Sequence, residues 1–186
     1  FFLVFLFLSK LSLAENFKKN LNFNIQFSNF SIAKVNIEIK ERDNIFLFNM
    51  NTNSIGVLEQ FYKYKSNVNG HSLNKNGKII PKKYKVKSNY KNKTIKSEVI
   101  WNNTSDEVLV YNEPELDLKK VKGIPRDSIK NVIDPFSSFL NILNKLKTNN
   151  SCLNQVRVFD GRRRYDVKSK ELSRKFLKKE RPNTFQ

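Results

Sequence analysis

Three groups of residues in this 186-residue chain could do chemistry. Arg162, Arg163 and Arg164 run consecutively after Asp160-Gly161, and clustered guanidinium groups are suited to gripping phosphate or carboxylate. Two carboxylate pairs, Glu113 with Glu115 and Asp160 with Asp166, have the composition of an acid/base couple. Cys152 and His71 are the single cysteine and the single histidine, the residue types of a nucleophile and its base.

Each group reads differently once its surroundings are considered. Both carboxylate pairs flank strands and turns, where solvated acids are ordinary. A metal site needs three or four His, Cys or acidic ligands brought together, and one His and one Cys do not supply them. With only five glycines there is no Gly-rich phosphate loop, so no cofactor is expected. Asn92-Lys-Thr and Asn103-Thr-Ser fit the glycosylation pattern, a weak signal in an Asn-rich chain. Cys152 reads as half of a disulfide with a missing or intermolecular partner, or as a small buried hydrophobe; a catalytic thiol is the weakest reading. The chain is not expected to be an enzyme.

For the arginines, Asp160-Gly161 between "VRVF" and "RRYDV" is a hairpin signal. Side chains beyond a two-residue turn alternate between faces. Arg163 then shares a face with Tyr165 and Val167, and Arg162 with Arg164 and Asp166, the latter two as a charge pair. Three arginines cannot converge on one ligand, and at most one is expected to be functional. Arg163, Tyr165 and Trp101 are the candidate binding residues.

The elements that must position these residues are mostly strands. Leu21, Phe23, Ile25 and Phe27 alternate with Asn22, Asn24 and Gln26, and Ala33, Val35, Ile37 and Ile39 alternate with polar partners. "NIFLFNMNT", "LEQFYKYKSNV", "KKYKVKSNY", "KTIKSEVIW" and "EVLVYNE" continue the series. Turn chemistry punctuates them at Ser28-Asn29, Arg42-Asp43-Asn44, Asn69-Gly70, Asn76-Gly77 and Asn102-Asn103. Such spacing predicts an antiparallel sandwich or barrel. A surface connection follows Pro114. One helix is predicted over about 134–147, with Asp134 as N-cap and Pro135 at the first position. Its apolar stripe is Phe136, Phe139, Leu140, Leu143 and Leu146, of which Phe136, Phe139, Leu140 and Leu143 are expected to pack on the sheet.

The ends and the charge bear on where the chain works. Phe1 to Leu8 is an unbroken apolar run, and Ser12 and Ala14 place small residues for a cut before Glu15. Residues 1–14 are therefore expected to be the later part of a secretory signal, lacking Met and a basic leader and interrupted by Lys10. Residues 15–168 then form one β-rich domain, followed by a basic, irregular tail over 169–186. Lys and Arg number 35 against 17 acids, a net charge of +18. That excess would suit nucleic acid, but A/T-rich codon usage also enriches Lys and Asn. The lysines of "KKYKVKSNYKNKTIKSE" alternate along strands, as a solvated face does.

The order "LEQFYKYKSNVNG…GKIIPKKYKV", "IPRDSIKNVIDPFSSFLNIL", then a Cys before "VRVFDGRRRYDV", resembles the exported bacterial family called domain of unknown function 3108. The residues that carry the resemblance are Tyr62, Tyr64 and Gly70 (a Tyr strand leading to a Gly turn), Pro81 and Tyr84, Asp134, Pro135 and Ser137 at the helix start, and Val158, Phe159, Asp160, Gly161, Arg163 and Tyr165. It spans Leu21 to Val167. It implies a periplasmic envelope protein of a Gram-negative bacterium, with a curved, incomplete β-barrel around a helix, shaped like a lipoprotein carrier, and no catalytic residues. Members of the family continue into further strands with a second Cys. That implies a disulfide partner for Cys152 beyond Val167 and a tail that is truncated or out of frame from about Ser169. Together these readings give an exported, non-enzymatic β-protein that binds a lipid or an envelope protein and touches membranes at most peripherally. Phe23, Phe27, Phe46, Phe48 and Trp101 are its candidate liners. The alternative is a basic cytoplasmic nucleic-acid-binding protein.

Overall fold

The computed structural model describes residues 17–102, 108–116, 129–149, 151 and 154–171. The expected signal segment (residues 1–14), Asn103, Cys152 and residues 172–186 of the expected tail lie outside these. Seven strands form an antiparallel meander in sequence order: β1 (Phe17–Phe27), β2 (Phe30–Arg42), β3 (Ile45–Ser54), β4 (Tyr64–Lys75), β5 (Lys78–Tyr90), β6 (Lys93–Trp101) and β7 (Val108–Glu113). A short helix, α1 (Gly56–Phe61), links β3 to β4. After β7 come α2 (Pro135–Asn149) and a separate hairpin, β8 (Asn154–Phe159) and β9 (Arg164–Ser169). The protein is mainly β, and its large sheet is not closed into a barrel.

Two of the tight turns have the paired positive φ angles that the twist of a hairpin demands. Asp43 and Asn44 stand at 51° and 63°, Asn76 and Gly77 at 53° and 81°. Two sequence expectations fail here. "LEQFYKYKSNV" is not one strand, because its first residues belong to α1 and β4 starts only at Tyr64. Asn69-Gly70 is not a turn either. Both residues pair within β4, against Asn49 and Phe48 of β3. Gly70 is required by a close approach, since a Cβ there would lie 1.7 Å from Cε1 of Phe48.

Register sorts the inner face of the sheet into rows. The deepest row crosses Ile39, Phe48, Gly70, Tyr84, Val99 and Val110. Here α2 and the hairpin form a roof. Phe136 of α2 stacks on Phe48 with ring centroids 3.7 Å apart, and Val158 and Phe159 of β8 are fully buried. Asp134 caps α2 as its position predicts. Its Oδ1 accepts the N–H groups of Phe136 and Ser137 at 2.8 and 2.9 Å. Oδ2 accepts the Ser137 hydroxyl, whose oxygen lies 2.8 Å from Ser72 Oγ of β4. All three side chains are buried.

The face of α2 that meets the sheet is not the predicted one. Phe136 and Leu140 are buried, whereas Phe139, Leu143 and Leu146 remain 49%, 43% and 44% exposed. The seam turns toward Ser137, Asn141 and Asn144. Asn141 both accepts from the Ile79 N–H and donates to the Ile79 carbonyl, each at 2.9 Å, and Asn144 donates to the Gly77 carbonyl. Backbone groups at the start of β5 need partners, and amides supply them where an apolar stripe cannot.

The outer face carries the charge. Glu38 sits between Lys18 and Lys40 (2.9 and 3.1 Å), and Glu98 between Lys83 and Lys85 (2.7 and 2.9 Å). The hydrogen bonds from these lysines hold both carboxyls below their usual range. Asn49, Asn69, Asn67 and Asn51 close a ring in which each amide donates to the next. A solvated polar face accounts for this arrangement.

Candidate functional site

The arginine loop is built around one carboxylate. Oδ1 of Asp160 accepts the N–H groups of Arg162 and Arg163 at 2.9 and 2.6 Å, and the Asp160 N–H donates to the Arg163 carbonyl at 3.1 Å. Phe159 pairs with Arg164, so the connection is four residues long rather than two. Gly161, at φ 92°, seats the loop on the sheet. A Cβ at this position would fall 2.0 Å from Ser97 Oγ and 2.9 Å from Cγ2 of Val99. The Gly161 carbonyl accepts from Asn112 Nδ2 at 3.1 Å.

The three arginines therefore separate. Arg164 pairs with Asp166 at 3.4 Å, as alternation predicts. Arg162 does not join β9; its Nη1 reaches Asn112 Oδ1 and the Pro114 carbonyl, both at 3.4 Å. Arg163 is exposed, and its guanidinium makes no hydrogen bond or ion pair among the described residues.

Arg162 and Arg163 stand at one end of a cavity of about 620 Å³ on the inner face, beyond the edge of the roof. Its floor continues the rows of the register. Met50, Val68, Val86 and Ser97 form one row, Thr52, Ser66, Ser88 and Ile95 the next, and Tyr64 pairs with Tyr90 in the last. The floor thus grades from apolar to hydroxyl-bearing. Ser66 and Ser88 share a 2.9 Å hydrogen bond, with Tyr64 Oη 3.5 Å from Ser88 Oγ. Tyr62, just past α1, lays its ring 4.0 Å from that of Tyr90. Ser97 Oγ is buried without a hydrogen-bond partner among the described residues. Burial, with the charges of Asp134 and Asp160 behind it, pushes the Tyr84 phenol far above the ordinary tyrosine range. Burial raises Tyr62 as well. Among the described lining residues, Asp160, Arg162 and Arg163 carry charge at neutral pH.

The sequence-predicted residues do not all meet here. Arg163 lines the cavity. Tyr165, on β9, lies within electrostatic reach of Arg163 and Asp160 but does not line it, and burial raises its phenol. Trp101 is elsewhere: its indole N–H donates to the Val132 carbonyl at 2.8 Å, and it borders a second cavity of about 760 Å³ with Lys75, Lys78 and Lys82. The expected phenylalanine liners are also displaced. Phe48 is core, Phe46 packs against it, and Phe23 and Phe27 are 50% and 72% exposed on edge strand β1. The lining is tyrosine and serine instead. Tyr62, Tyr64 and Tyr84 stood among the motif residues of the sequence, but nothing marked Tyr90, Ser66 or Ser88, whose convergence follows only from strand register.

Three of the four candidate carboxylates are engaged individually, and Glu115 is exposed. Glu113 pairs with Lys96 at 2.8 Å, Asp166 with Arg164, and Asp160 holds the loop. No cluster of three His, Cys, Asp or Glu side chains able to hold a metal ion occurs among the described residues.

Fold and cavity define an open seven-stranded meander, with its inner face roofed at one end by a helix and a hairpin. The chain belongs to the family described as protein of unknown function (DUF3108), whose model matches residues 22–185. That match extends beyond Val167, so the basic segment set apart by its composition falls inside the matched span. No curated protein and no solved structure matches the chain.

Proposed function

We propose that this is an exported, non-enzymatic protein of the bacterial envelope that binds a lipid or another apolar partner on its open inner face. The observation that carries the reading is the 620 Å³ cavity. It lies within the 300–1,000 Å³ range of ligand sites and combines aliphatic and aromatic walls with hydroxyl groups and two arginines, as ligand sites combine apolar walls with polar groups. Engagement of Glu113, Asp160 and Asp166 in structural contacts supports a non-catalytic role. Export is supported by the apolar run Phe1–Leu8 and the small residues Ser12 and Ala14. No helix among the described residues is long and apolar enough to cross a membrane. Interleaving of Glu38 and Glu98 with the lysines breaks up the outer basic face and disfavours the nucleic-acid alternative.

The test is mass spectrometry of protein purified from the periplasm, both of its N-terminus and of solvent-extracted lipid. A mature start at Glu15 and a reproducible co-purifying lipid or apolar peptide are expected. Repeated absence of any such molecule refutes the binding role. An uncut chain that binds DNA in a salt-dependent manner establishes the alternative.

A further inference from the structure

We infer that the cavity takes an amphiphile bearing one anionic group, a carboxylate or a phosphate, and that Arg163, backed by Arg162, reads that group. This rests on the cavity being a ligand site. Charge distribution is the first argument. Both arginines line one end, and apart from Asp160 the other described lining residues are neutral. Asp160, the single acid among the described lining residues, has Oδ1 committed to two backbone N–H groups. On the outer face and on β9, by contrast, Glu38 and Glu98 each bind two lysines, and Asp166 binds Arg164. The protein partners of Arg162, an amide and a carbonyl oxygen, fix its position and leave its charge uncompensated. Arg163 has no side-chain partner among the described residues.

Preorganisation is the second argument. Exposed arginines ordinarily lose side-chain and backbone freedom on binding, which weakens recognition. Here the backbone of the loop is already held by the Asp160 carboxylate, by Asn112 and by Gly161 seated on Ser97. A guanidinium offers a planar fork of donors that fits carboxylate or phosphate in two-point contact. Away from the arginines the floor turns apolar along Met50, Val68 and Val86, which suits an alkyl tail.

The experiment titrates the purified protein with decanoate, decyl phosphate, decanol and inorganic phosphate by calorimetry at pH 7 and low salt. Decanoate and decyl phosphate are expected to bind about tenfold or more tightly than decanol, the scale of one charge-assisted contact. Inorganic phosphate should be at least about tenfold weaker than decyl phosphate. Arg163→Gln should bring the acids to within about threefold of decanol and leave decanol unchanged. Because the Arg163 side chain has no partner among the described residues, the substitution is expected to leave folding intact, which an unchanged Tm checks. Equal binding of decanol and decanoate, or an unaffected Arg163→Gln, overturns the anion reading and leaves the apolar-ligand reading standing. Phosphate binding as tightly as decyl phosphate makes the site one for a free anion and overturns the amphiphile. Failure of all four ligands to bind refutes both readings.

Discussion

Replacing Gly70 by alanine should destabilise the protein through a single identifiable contact. The new Cβ would lie 1.7, 2.4 and 2.8 Å from Cε1, Cδ1 and Cζ of Phe48, where ordinary contact is 3.4–4 Å. The ring must retreat by about 2 Å, but it is stacked at 3.7 Å on Phe136 and lies 6.2 Å from Tyr84. Overpacking of this kind costs about 1–3 kcal/mol, and a blocked ring places it at the upper end. Alanine recovers about 0.5–1 kcal/mol over glycine in a strand interior. A net loss of about 2–3 kcal/mol is expected, a fall in Tm of about 5–10 °C for a domain of this size. Phe48→Ala alone should cost about 3–5 kcal/mol. If the clash is the cause, the double variant loses no more than Phe48→Ala, because alanine at 70 then has room. Simple addition predicts a loss of about 5–8 kcal/mol instead. Urea unfolding of the four proteins, with unchanged m-values, reads the coupling directly. Additive losses, or a Gly70→Ala protein within about 0.5 kcal/mol of the parent, would refute the argument.

On α2, Leu140→Ala should cost about 2–5 kcal/mol in denaturant melts, while Phe139→Ala, on the exposed side, should cost under about 1 kcal/mol. Asn141→Leu lengthens the apolar stripe yet should destabilise by about 1–2 kcal/mol, since it strips both partners from the Ile79 backbone; a neutral result would mean that the amide seam is incidental. Asp134 sits above the usual carboxylate range, because burial outweighs its hydrogen bonds from Ser137 and Phe136. Its folded value exceeds its unfolded one, so its contribution to stability is most favourable in acid and declines as pH rises through the interval between the two values. Asp134→Asn keeps the Oδ1 acceptor and should remove that slope in melts across pH, whereas Asp134→Ala should lose about 1–2 kcal/mol with the cap.

The sheet was legible because its strands bury one face, which leaves a period of two, and because its turns use Asn, Asp and Gly where φ is positive. β2, β3, β5 and β6 all follow that pattern. Legibility ended where a residue answers to something distant in sequence. Asn69-Gly70 has the composition of a turn, but its glycine makes room for a ring 22 positions earlier. The helix showed an apolar stripe, and its seating was decided instead by amides that satisfy the Ile79 and Gly77 backbone. Tyr90 carried no local mark, since it meets Tyr64 only through the pairing of β4 with β5.

The arginine run shows how a wrong turn length can still yield a correct pair. The expected two-residue turn and the observed four-residue loop differ by an even number. Side chains in a strand repeat every two residues, so a two-residue shift preserves the faces. Arg164 and Asp166 therefore meet as alternation requires, although Phe159 pairs with Arg164 and not with Arg162. What the shift changes is which residues leave the ladder. With the shorter turn, Arg162 and Arg163 would be strand residues on opposite faces. With the longer loop, both are released to the end of the cavity. The choice between the two loops belongs to Asp160, whose carboxylate accepts two successive N–H groups that a two-residue turn would not present to it. That carboxylate, counted at first as half of an acid/base couple, thus sets the position of both arginines that line the cavity.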